Sequence, residues 1–158
     1  MRYVVRKRKI KRMPDQTKQK DLAGHFETLM YSVVEWQAPN TFLWYNVTDG
    51  REEHVYRGTT ESGEVVIYNM LETSGSAMLA NCLLRGYHNG LLELKEYHTA
   101  GMRAFNSLVE TKLTQDSLND IYTSSSATSN KDLYQRNGYT VDDGKGVGPF
   151  LLAARYAY

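Results

Sequence analysis

The chain has 158 residues, a length that can bury a core of its own without covalent staples. Hydrophobic residues make up 41% and charged residues 23%, a balance that favours neither a disordered nor a membrane-embedded class. The formal net charge is +1, but it is uneven: nine Lys or Arg stand against one acid, Asp15, in the first twenty residues, so that segment is +8 and the rest is −7.

Residues 2–10, with Tyr3-Val4-Val5 and Ile10, predict a first strand inside a basic arm over 1–20. Such an arm on an acidic body suits contact with nucleic acid, with an acidic partner or with its own domain; an edge strand guarded by Lys and Arg is the plainer alternative. Pro14-Asp15 breaks it. Leu22, Phe26, Leu29, Met30 and Val33 share one apolar face and predict a helix, ended by Pro39-Asn40. Thr41 to Val47 is aromatic and β-prone, and Asp49-Gly50 marks a turn. His54 to Thr60 and Glu64 to Leu71 predict a hairpin joined through Glu61-Ser62-Gly63.

Thr73-Ser74-Gly75 reads as a break. The apolar run Ala77 to Leu84 that follows has the length of a buried central strand, although periodicity alone leaves helix open. Arg85 to Gly90 is a polar, glycine-bounded turn. From Leu91 to Leu113 the apolar residues keep helical phase, as one helix or as two broken at Gly101, where glycine costs ~1 kcal/mol in a helix interior. Leu118 to Thr123 predicts another strand.

A short helix follows. Ser129 suits its N-cap, with Asp132 completing a capping box. Gly138 suits the left-handed position after its end, which places Tyr134 and Tyr139 where side chains meet across such a cap. After Thr140-Val141, Gly144-Lys145-Gly146-Val147-Gly148 is read as a turn rather than a nucleotide loop, because Pro149 follows and only nine residues remain. Phe150 to Tyr158 is the last predicted strand. This order predicts one α/β domain over 1–158, a mixed sheet flanked by helices. His25, His54, His88 and His98 show no metal-ligand spacing, so no metal is expected, and Cys82 alone forms no internal disulfide. With no apolar run of membrane-spanning length and a basic, not signal-like, start, a cytoplasmic location is expected.

Leu133-Tyr134-x-Arg136-x-Gly138-Tyr139 resembles a signature near the end of the GNAT superfamily, the acyl-CoA-dependent N-acyltransferases. Arg85-Gly86-Tyr87-His88-Asn89-Gly90 resembles that family's phosphate loop, with His88 where its middle glycine belongs. The resemblance implies a mostly antiparallel central sheet and acetyl-CoA as acyl donor to an amine on a small molecule or protein. It implies cofactor contacts from Arg85, Gly86, His88, Gly90 and Ser126, and a proton from Tyr134 to the leaving thiolate. The plainer role of Tyr134 is packing at the helix cap. No base is assigned; Glu72, near the end of the hairpin, is a carboxylate whose ordinary fate is solvent. The alternative function is a noncatalytic component of the same fold in a larger assembly such as a viral particle, formed through the basic arm.

Overall fold

The computed structural model describes residues 16–48, 55–60, 63–113, 122–124, 139–141 and 144–158. Their elements are helix α1 (Gln16–Glu35), strands β1 (Val55–Thr60) and β2 (Gly63–Tyr68), helices α2 (Thr73–His88) and α3 (Lys95–Lys112), strands β3 (Tyr122–Ser124) and β4 (Tyr139–Val141), and helix α4 (Gly144–Ala157). The strands make two separate antiparallel ribbons, β1 with β2 and β3 with β4. The expected α/β architecture is therefore incorrect. Among the described residues there is no central sheet, and helices carry the core.

The apolar run at 77–84 belongs to α2, not to a strand. The reason lies in its flanks. Thr73, Ser76, Ala77, Ala80, Leu83 and Leu84 are all buried, and their spacing is that of one helical face. Four small polar or alanine positions begin this stripe, so a scan for large apolar residues sees only its end. The supposed break at Thr73-Ser74-Gly75 is the first turn of the helix. Glu72 is its N-cap, and the Glu72 carboxylate accepts from the Gly75 N–H and from the Ser74 hydroxyl.

The C-terminal segment is also helical rather than a strand. Helix α4 starts inside the glycine run and holds Pro149 within it. Each glycine costs about 1 kcal/mol against alanine in a helix interior, and proline about 3. Tertiary packing overrides that propensity. Phe150 and Ala153 are buried, and the Phe150 ring stacks on Phe105 of α3 with centroids 5.3 Å apart. Helix α4 packs mainly on α2, which also packs on α3, so α2 is the central element.

Helices α1 and α3 follow the predicted phases. In α1, Met30 is buried and Phe26 and Val33 pack against the core, whereas Leu22 and Leu29 are exposed. Helix α3 is unbroken at Gly101, which is buried against Leu83 and Leu84. The hairpin forms, but β2 takes in Gly63, which pairs with Thr60, and ends at Tyr68 rather than Leu71. The β-prone segment Thr41 to Val47 does not join a ribbon. Residues 44–47 run beside 69–72: Glu72 N–H donates to the Trp44 carbonyl (2.9 Å), Asn46 N–H to Met70 (2.8 Å), and Tyr45 bridges Leu71. Side chains finish this short ladder. Ser76 Oγ accepts from Trp44 N–H (3.0 Å), and the buried Asn69 amide exchanges two hydrogen bonds with the Val47 backbone (3.0 and 2.8 Å). Of the arm expected over 1–20, residues 16–20 open α1 and the rest lie outside the described residues, as do the strand expected over 2–10 and the short helix expected at 129–138.

Candidate functional site

Arg85 to Gly90 is the last turn and stop of α2, not a loop that opens a helix. Gly90 has φ +70°, its N–H donates to the Tyr87 carbonyl (3.0 Å), and Leu91 N–H reaches back to Gly86 (2.9 Å). These two bonds are the pattern of a Schellman cap, with Asn89 as C-cap and Gly90 in the left-handed position after it. Helix carbonyls converge here, so the local dipole is negative and complements cations. Arg85 and His88 in this last turn fit that role. A pyrophosphate would meet the wrong end of the helix.

Gly86 is buried against Leu92 and Phe26, while His88 pairs with the Tyr156 ring at 5.4 Å. Ser126 and Tyr134 lie outside the described residues. Nothing lies within 4 Å of a Cβ added at Gly90, so a substitution there meets only backbone strain. Gly90→Ala is expected to lower stability by about 1–2 kcal/mol, read as a lower urea midpoint with an unchanged slope.

Polar side chains gather instead at the opposite end of α2. Asn69, Thr73, Ser74 and Ser76 are buried there beside the half-buried Glu72. Both Glu72 carboxylate oxygens accept hydrogen bonds from its own helix start, one from Ser74 and one from Gly75. That makes Glu72 a cap that fixes the turn between the 69–72 segment and α2. Asp21, Glu27, Glu35, Glu93, Glu96 and Glu110 are exposed. Among the described residues no three His, Cys, Asp or Glu side chains gather in a metal-binding group. Burial pushes the Cys82 thiol up, with Arg85 pulling the other way, which disfavours the thiolate. No described helix is long and apolar enough to cross a membrane. Sequence reasoning missed Asn69, Ser76 and Trp44. Their role comes from backbone groups that only the folded loop brings within reach.

This helical arrangement resembles part of a solved glycoside hydrolase. The chain superposes on the C. acetobutylicum glycoside hydrolase of family 105 with a TM-score of 0.65 and 25% identity, covering 89% of this chain and 39% of that one. The model of Glycosyl Hydrolase Family 88 matches residues 8–158, and the chain belongs to that family. It is also 29% identical over 157 residues to Protein Atu3128 of Agrobacterium fabrum and to the 24.9 kDa protein in picA locus of Rhizobium radiobacter. Each of those alignments covers 89% of this chain, which spans 61% of the relative's length.

The resemblance to acyl-CoA N-acyltransferases is thereby corrected. Neither the acyltransferase activity nor the noncatalytic viral or assembly component stands. The physical reason is visible at Gly90. A glycine that ends a helix and a glycine that cradles a phosphate are the same letter in the same kind of polar surrounding.

Proposed function

We propose that this chain forms part of the sugar-cleaving body of a glycoside hydrolase, adding water across a glycosidic bond. The observation that carries this is the family match over residues 8–158, supported by the structural likeness to a family 105 enzyme. Glycosidic hydrolysis ordinarily uses two carboxyl groups flanking the bond, one to protonate the leaving oxygen and one to activate water or attack the sugar. Glu72 is occupied as a helix cap, and Asp21, Glu27, Glu35, Glu93, Glu96 and Glu110 are exposed. The described helices supply scaffold for such a site.

The test is release of new reducing ends from a panel of plant and bacterial oligosaccharides incubated with the protein. Cleavage of at least one is expected. No cleavage of any of them, by a protein shown to be folded, would overturn the reading.

A further inference from the structure

Helix α1 carries a second apolar stripe beside the one it buries. Leu22, Leu29 and Trp36 stand seven residues apart, and seven residues bring a helix back to within about 20° of where it started. Trp36 lies just past Glu35 but continues the helical turn, since its N–H donates to the Ser32 carbonyl (3.1 Å). The three side chains therefore form one line along the helix, about 21 Å long at the helical rise per residue. All three are exposed, Leu22 by 60%, Leu29 by 58% and Trp36 by 42%. Phe26 and Val33, which pack on the protein's own core, alternate with them. The five positions together follow the four-three spacing of a coiled-coil seam whose outer edge is left uncovered.

A single exposed leucine is ordinary, but large apolar side chains in line on one helix face mark a surface that something covers. The spacing says what fits. Leu29 lies midway between Leu22 and Trp36. A second α1 laid antiparallel about that midpoint sets Leu29 on Leu29, and Leu22 of each copy on Trp36 of the other. Such a face complements itself under a two-fold axis. The charges agree with this direction. In it Asp21 comes level with Gln37 of the other copy, Glu27 with Tyr31 and Glu35 with Ala23, so no charge meets a like charge. A parallel pair would bring Lys18, Lys20, Asp21, Glu27 and Glu35 each level with its own copy, and would align the two helix dipoles.

We infer that α1 is a self-association face, on which two copies of this chain meet antiparallel through Leu22, Leu29 and Trp36. The contact is narrow. One helix line covers less than the roughly 1,600 Å² of a standard interface, which makes the pair a weak one. A dissociation constant of about 10–100 µM is expected. The inference goes beyond the glycoside-hydrolase reading and does not rest on it, since it follows from α1 alone.

The test is light scattering of the whole chain from about 1 to about 500 µM, a range that brackets the expected constant. The mass is expected to rise from one chain to two. Leu29→Asp sets two carboxylates against each other at the axis and is expected to weaken pairing about a hundredfold. Leu29 is exposed, so this change leaves the core intact. Oxidative cross-linking then reads the direction, with Cys82→Ala as background. Leu29→Cys is expected to form a disulfide-linked dimer. Leu22→Cys alone is expected to form none, because its copy lies about 21 Å away along the axis, beyond disulfide reach. Leu22→Cys mixed with Trp36→Cys is expected to link. A single-chain mass at every concentration, pairing that survives Leu29→Asp, or Leu22→Cys linking to itself as readily as Leu29→Cys would each overturn the proposal. None of these readouts involves sugar cleavage, so their failure leaves the hydrolase reading untouched.

Discussion

Trp44→Ala is expected to lower stability by about 3–5 kcal/mol, the largest loss from any single substitution considered. Trp44 is 2% exposed and lies in the main core cluster, so truncation leaves a large cavity. It also removes a helix cap. The last carbonyls of a helix have no partner within it. At the end of α1, Ser32 accepts from Trp36 N–H and Val34 from Gln37 N–H, while Val33 is served by the Trp44 indole N–H at 2.7 Å. No basic side chain stands in that last turn to take over. Trp44→Phe separates the two contributions. It keeps most of the ring and loses the indole donor, so about 1–2 kcal/mol is expected. Both values come from urea denaturation. A loss below about 1 kcal/mol for Trp44→Ala would mean that Trp44 does not pin the 43–47 segment to α1.

The sequence is legible where one physical signal dominates. The α1 and α3 faces repeat large apolar residues at helical spacing, and both helices form. The hairpin at 55–68 carries β-branched residues, and two paired strands form there. The α1 stripe shows a limit even there. Leu22 and Leu29 have the right phase for burial and are exposed, because phase fixes a helix but not how much of its apolar arc a neighbour covers.

The misread elements are those where packing competes with local signals. Helix α2 hides its buried stripe behind threonine, serine and alanine, which a scan for large apolar residues passes over. Helix α4 begins in a glycine run with Pro149, where propensity argues against any helix, and contacts with α2 decide otherwise. Those two errors turned helices into strands and so produced a sheet. With a strand wrongly placed before Arg85, the helix stop at Gly90 took on the look of a phosphate loop. The phosphate-loop part of the family resemblance thus depends on the misplaced strand, whereas its other part, Leu133 to Tyr139, falls almost wholly outside the described residues. The polar end of α2 was less legible still. Asn69 and Ser76 act on backbone groups of Val47 and Trp44, more than twenty residues away in sequence.

Gly101 separates helix propensity from packing by the sign of a mutational effect. In an isolated helix glycine costs about 1 kcal/mol against alanine, so replacement there should stabilise. At the α2–α3 contact a Cβ on residue 101 would stand 2.9 Å from Leu84 Cγ and 3.1 Å from Leu83 Cβ. The first is a branching atom close to its backbone, and the second cannot rotate away at all. The two helices must then separate, which strips contact from Leu83 and Leu84, both fully buried. Gly101→Val is therefore expected to destabilise by about 1–3 kcal/mol. Gly24 supplies the opposite case. It lies in the exposed middle of α1 with nothing within 4 Å of an added Cβ, and Gly24→Ala is expected to stabilise by about 0.5–1 kcal/mol. Thermal or urea unfolding of the two variants should move in opposite directions. If Gly101→Val were neutral or stabilising, the helices would not meet as closely as this contact requires, and α2 would lose its place as the element on which α3 and α4 are assembled.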